Sequence, residues 1–367
     1  MIAQILVFLA GLLLATWTIL SAIRTVILPR SAQSAIARFV FRSLGIPFRW
    51  LATERRDFAD RDRVMAMFAP VGLVALAGTW LTLVTAAYAA MFWGVRGGSI
   101  GASIKLSGSS ITTLGVAPTE TGAEQVLAFT ESGWGLFILT LMITYLPSMY
   151  SAFQRRESEV ALLEVRAGNP PSAVEFIIRH HTLGWIDLDE TMLRWERWFA
   201  DLEESHTTYT ALAFFRSPQA SRSWVTAAGT MLDTASLLAA AVPGGRVGPK
   251  GVAIRAGFLA LRHIADFFGL EYDPDPAPTD PISITREEFD DACDRMQAAG
   301  VPITPDREQA WSDFAGWRVN YDVVLLALAE ITMAPYAPWT SDRSGPQHRR
   351  PRIGRFGGRL RSQRLPS

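Results

Sequence analysis

The sequence predicts an all-α membrane protein: three transmembrane helices with a re-entrant loop between the second and third, then a helical cytoplasmic domain. Three observations carry this. Long uncharged apolar runs are confined to the first 154 positions of the 367, although 49% of all residues are hydrophobic. Between the second and third run lies Ser107 to Pro118, a short uncharged stretch of hydroxyl-bearing and small residues. After Arg156 the composition turns to mixed charge with helical periodicity.

The boundaries follow from these shifts: 1–30 for the first span, 31–63 for an amphipathic connector, 64–154 for an outer helix, loop and inner helix, 155–345 for the cytoplasmic domain and 346–367 for a tail. Ile2 to Ile23 is 22 uncharged residues, enough to cross about 30 Å of hydrocarbon at ~1.5 Å per residue. The basic residues follow this run, at Arg24 and Arg30, rather than preceding it, so a retained span is expected rather than a cleaved signal.

From Arg24 to Arg63 there are nine arginines against Glu54, Asp57, Asp60 and Asp62, whereas Val95 to Glu131 has only Arg96 and Lys105 against three glutamates. Arginine-rich short segments stay on the cytoplasmic side. The expected placement is the cell (inner) membrane, multi-pass, with the amino terminus outside and the carboxyl terminus cytoplasmic. Lysine occurs only at Lys105 and Lys250, the usage expected of a GC-rich bacterial genome. In the connector, Ile36, Phe39, Val40 and Leu44 recur at helical spacing beside Arg38 and Arg42. That pattern suits a helix on the inner membrane surface, or one packed on the cytoplasmic domain.

Val64 to Val95 is the second uncharged run, with Tyr88 and Trp93 near its outer end. Gly97 to Ser110 is too short to cross and is expected to form a short helix descending to the loop, weakened by Gly108. Irregular backbone at membrane depth is tolerated only where protein or water satisfies it. Glu120, Glu124 and Glu131, which follow, could raise cation concentration at an outer mouth. Ser132 to Gln154 returns the chain to the cytoplasm, ending at Arg155 and Arg156. Pro147 near its inner end removes a backbone hydrogen bond and favours a kink, a possible gate.

Thr113-Leu114-Gly115 is similar to the first three residues of the Thr-Val-Gly-Tyr-Gly filter of potassium channels, and its place between two membrane helices resembles the two-helix pore unit of that family. The resemblance implies a homotetramer around a central pore that passes monovalent cations, potassium first among them. Thr112, Thr113, Leu114, Gly115 and Val116 would line the filter through carbonyls and threonine hydroxyls, with Ala117 shaping its outer end. The cytoplasmic half would signal to the inner helix through Arg155 and Arg156. Val116 stands where the family has Tyr or Phe, and Ala117 where it has the second Gly. Left-handed backbone at Ala117 would cost roughly 1–2 kcal/mol per copy. These departures favour a second reading, a nonconducting membrane sensor or scaffold whose cytoplasmic half binds a partner.

In that half, Leu188, Met192, Trp195, Phe199 and Leu202 make one helical stripe, with Asp187 and Glu190 at its start. Thr285 and Glu288 have capping-box spacing with Gly300 as the stop, and Asp306 to Met333 predicts one long final helix. Glu271 to Pro281, with four prolines and four acids, is an extended connector. Trp224 to Val242 has Asp233 as its only charge. It suits a buried helix better than a fourth span, because Asp mid-membrane costs about 2.5–3.5 kcal/mol.

The tail after Gly345 carries Arg349, Arg350, Arg352, Arg355, Arg359, Arg361 and Arg364. It is expected to be disordered and suited to anionic lipid headgroups. Net charge is zero, so no nucleic-acid partner is indicated. No enzyme signature and no cofactor motif emerge. Gly244, Gly245, Gly248 and Gly251 are interrupted by Pro249 and follow no strand. His180 and His181 lack a second pair at metal-ligand spacing, and the serines around Gly108 lack the elbow and base of a hydrolase. Cys293 is the single cysteine, which rules out an intrachain disulfide.

Overall fold

The computed structural model describes residues 1–28, 34–55, 57–184, 188–244 and 247–343. The Arg-rich tail, Arg30, Asp187 and Gly245 lie outside the described residues. Every regular element among the described residues is helical. The chain divides into two compact units, Met1–Arg155 with Ser205–Arg216, and Arg156–Glu204 with Ser217 onward.

The first unit holds α1 (Ile2–Val26), α2 (Ala35–Thr53), α3 (Phe58–Ala66), α4 (Phe68–Arg96), α5 (Ile100–Ile111) and most of α6 (Gly122–Ala167). Three segments are long and apolar enough to cross a membrane: Ile2–Val26, Phe58–Arg96 and Gly122–Ala167. They coincide with the three uncharged runs. The second is broken at Met67 into α3 and α4. Pro70 explains the break: it has no N–H to offer the Ala66 carbonyl, and its ring crowds that carbonyl.

α1 and α4 are antiparallel and close. A Cβ at Gly94 would lie 2.8 Å from the Gln4 carbonyl and one at Gly11 would lie 2.5 Å from the Ala87 carbonyl, while Trp80 Nε1 donates to Ser21 Oγ at 3.3 Å. Small residues allow such approach where apolar burial gives no gain over lipid. α2 starts at Ser34, whose hydroxyl accepts from the Ala37 amide. Its buried residues Ile36 and Val40 join the α4 core of Leu76, Trp80 and Val84. Phe39 is 69% exposed, so the expected apolar stripe splits: half packs within the unit and Phe39 faces away.

Ser205–Arg216 returns to this unit. Leu212 packs with Leu73, Tyr145, Met149 and Phe153, Tyr209 lies edge-on to Tyr145 at 5.4 Å, and Arg216 pairs with Asp62 at 3.3 Å.

The second unit contains the end of α6, α7 (Ala173–Thr182), α8 (Leu188–Thr208, to Glu204), α9 (Trp224–Ala240), α10 (Val247–Phe268), α11 (Arg286–Ala298), α12 (Arg307–Arg318) and α13 (Asp322–Thr332). α9 is its centre, flanked by α7, α10, α12 and α13. Trp224 through Leu238 are buried without interruption, so α9 is covered on every side and its polar residues, Asp233 among them, must find partners inside the unit. Asp233 on α9 is paired with Arg318, which also meets Asp322 at 2.7 Å, and it accepts from Tyr321 Oη at 2.9 Å. Burial pushes the Asp233 carboxyl up, and Arg318 opposes that rise.

The expected long helix over 306–333 is two helices. The Asn320 side-chain Nδ2 donates to the Gly316 carbonyl at 3.0 Å, competing for the acceptor that a continuing helix would use. The stripe expected on α8 is buried except at Leu188, which is half-buried. Met192, Trp195, Phe199 and Leu202 are all buried on α8. Thr285 and Glu288 form a complete capping box, and Gly300 follows α11 at φ +88°.

Candidate functional site

The site is built on α5. After α4 the chain reverses at Gly97 and Gly98, both at positive φ, where glycine carries no Cβ penalty. α5 then doubles back along α4, and Ser107 Oγ reaches the Thr85 carbonyl at 2.8 Å. Thr85 precedes the end of α4 by eleven residues, so the end of α5 reaches about 16 Å back along α4 at ~1.5 Å per residue.

Against α6 the order of contacts is parallel. Ser107 meets Glu131 at 2.5 Å, Ser132 Oγ donates to the Ser110 carbonyl at 2.6 Å, and Gly135 faces Ile111. α5 therefore runs against α4 and with α6, and the segment after it must climb back before α6 begins.

α5 ends in a Schellman turn. The Leu114 amide donates to the Ser109 carbonyl and the Thr113 amide to the Ser110 carbonyl, each at 3.0 Å. The pattern needs a left-handed residue at its fifth position. Thr113 occupies that place at φ +55°, where glycine is usual. Gly115 follows at φ +67°, and Ala117 is not among the positive-φ residues described. The strain expected at Ala117 thus falls on Thr113.

Thr112 Oγ1 donates to the Gly108 carbonyl at 2.5 Å and Thr113 Oγ1 to the Thr112 carbonyl at 2.7 Å. The Ala117 amide donates to Ser109 Oγ at 3.1 Å, tying the climbing segment to α5. Thr112 to Val116 are exposed in the single chain and Ala117 is half-buried. At the apex, Leu114 is 68% and Val116 63% exposed.

The loop closes onto α6 through Thr121 and Glu124. Thr121 Oγ1 accepts from the Glu124 amide at 3.2 Å, and Glu124 Oε2 accepts from the Glu120 amide at 2.7 Å. Arg96 pairs with Glu120. The expected role of three glutamates at an outer mouth is corrected for two of them: Glu124 and Glu131 are fully buried and face the protein. Glu120 alone of the three is exposed.

α6 runs through Pro147 without interruption, and Pro147 is exposed. Ser151 Oγ donates to the Pro147 carbonyl at 2.9 Å. Arg156 is buried and holds Glu157 with two nitrogens, at 2.9 and 2.7 Å.

Among the described residues no three His, Cys, Asp or Glu side chains gather as a metal site. His180 is buried and stacks on Phe176 at 4.1 Å, and burial pushes its imidazole down. Gly248 and Gly251 lie inside α10. Burial pushes the Cys293 thiol up to about 11.

The features that escaped sequence reasoning include the Ser107–Glu131 contact and the return of Ser205–Arg216. The first had a signal, an acid one residue ahead of an uncharged span opposite a serine-rich helix; the second had none. Comparison with family models, curated proteins and solved structures finds no match for this chain.

Proposed function

We propose that the first unit is a membrane pore that passes monovalent cations passively, with Thr112–Ala117 from four copies forming its narrow part. The observation that carries this reading is the course of α5, antiparallel to α4, parallel to α6 and ending about halfway along α4. That course is the one a re-entrant loop over Ser107–Pro118 would need, with its backbone covered by protein or water. Companion copies around an axis supply both.

The carboxyl end of α5 points its partial negative charge at the loop, which favours a cation there. The loop itself is uncharged, so carbonyls and the Thr112 and Thr113 hydroxyls are the groups available to replace hydration. The arginine bias supports an external amino terminus and a cytoplasmic second unit.

One observation favours the nonconducting reading: the Thr112 carbonyl already accepts from the Thr113 hydroxyl, which engages one of its two lone pairs. Potassium, rubidium and sodium flux into liposomes holding the purified chain decides between the two. The pore reading expects flux that Gly115→Leu abolishes. Absence of flux for all three ions would leave the sensor or scaffold.

A further inference from the structure

Behind the loop, α4, α5 and α6 enclose polar side chains that solvent does not reach. Ser103 and Ser107 stand one turn apart on α5, Glu124 and Glu131 two turns apart on α6, and none is more than 1% exposed. Ser107 Oγ lies 2.8 Å from the Thr85 carbonyl and 2.5 Å from Glu131 Oε1. A peptide carbonyl only accepts, and a serine hydroxyl has one proton. Once that proton goes to Thr85, the second contact is a hydrogen bond only if Glu131 supplies its own proton.

The surroundings agree. Glu131 Oε2 is buried without a hydrogen-bond partner in the chain, which a neutral carboxyl tolerates far better than a charged one. Arg96, the base at the loop, is engaged by Glu120 and Glu124. From α4 the titratable neighbour is Tyr88, whose hydroxyl donates to Thr130 at 3.2 Å. From α5 the facing groups are Ser103 and Ser107, Lys105 being exposed.

We infer that Glu131 is carried as the neutral acid and is the positioning residue of the loop: it donates to Ser107, Ser107 donates to the Thr85 carbonyl, and this relay locks α5 between α4 and α6. It deepens the pore reading and rests on it for what the held loop does. Removing the proton leaves Ser107 one proton for two acceptors, the Thr85 carbonyl and the Glu131 carboxylate, so alkaline pH breaks one arm of the relay, loosens α5 and exposes Leu114 further.

The test uses full-length protein in liposomes with Leu114→Cys, labelled by a membrane-impermeant maleimide across neutral to alkaline pH. Buried Cys293 stays silent. The Glu131→Gln variant keeps an N–H donor to Ser107 without a titratable proton and serves as the reference. The labelling rate of Leu114→Cys alone is expected to rise severalfold over the Glu131→Gln double variant as pH increases, and Ser107→Ala to label fast throughout. In infrared spectra Glu131→Gln is expected to delete a protonated-carboxyl band.

Matching pH profiles in the presence and absence of Glu131→Gln, or loss of a carboxylate band instead, would overturn the inference. If wild type passes no ions while the band and the labelling profile behave as expected, the pore reading falls and the positioning role of Glu131 stands.

Discussion

Thr113 holds the left-handed position that closes α5, and no other residue at the site is so exposed to a simple test. A β-branched residue there costs roughly 1–2 kcal/mol, set against two amide hydrogen bonds that finish the helix. Alanine would keep the strain and lose the hydroxyl. Glycine would lose the hydroxyl and the strain but adds about 0.5–1 kcal/mol of backbone entropy. The usual order at an ordered site, alanine above glycine, is therefore expected to invert. Thermal unfolding in detergent should place Thr113→Gly about 0.5–1 kcal/mol above Thr113→Ala; equal midpoints, or alanine the higher, would show that Thr113 is not left-handed in solution.

At the scale of elements, the seat of α5 depends on Gly135 of α6. A Cβ there would lie 2.6 Å from the Ile111 carbonyl oxygen and 2.9 Å from Ile111 Cγ1, so α5 must move to admit a methyl group. Gly135→Ala is expected to cost about 1–3 kcal/mol, as overpacking does. Gly78→Ala on α4, where nothing lies within 4 Å, is expected to be neutral or slightly stabilising. A shared unfolding midpoint for the two would contradict the close approach of α5 to α6.

What the sequence made legible at this scale was local. Uncharged length marked the three long helices, Thr285 and Glu288 marked the start of α11, and the small hydroxyl-rich stretch marked the turn after α5. The misses have physical causes. Pro70 ends α3 because it acts on a carbonyl four residues back, and Asn320 divides the 306–333 stretch through a side-chain bond that periodicity does not register. Glu124 and Glu131 carry the same letter as a solvated acid, and only the burial of their helix face distinguishes them. The Asp233–Arg318–Asp322 cluster joins positions far apart in the chain, beyond any window of local pattern.

For the whole molecule, the exposed loop of the single chain sets the expectation. Thr112–Val116 are exposed in the single chain, and inside a bilayer such backbone would need cover from protein or water, which the pore reading assigns to neighbouring copies. Mass photometry or native mass spectrometry in detergent is expected to give four chains per particle. A monomer or dimer stable to dilution would remove the fourfold filter. The pairing of Arg216 with Asp62, and of Tyr209 with Tyr145, also makes the first unit discontinuous along the chain.

That discontinuity bears on how the protein is made. The foot of the first unit, where Leu73, Tyr145, Met149 and Phe153 meet, is filled by Leu212 and its neighbours. The long helices can form as each leaves the ribosome, but their ends around Leu73 and Met149 cannot pack finally until Leu212 and Arg216 have been translated. A polypeptide stopped at Arg155 would leave the ribosome with those aromatic and aliphatic side chains bare, and quality-control proteases would meet it in that state.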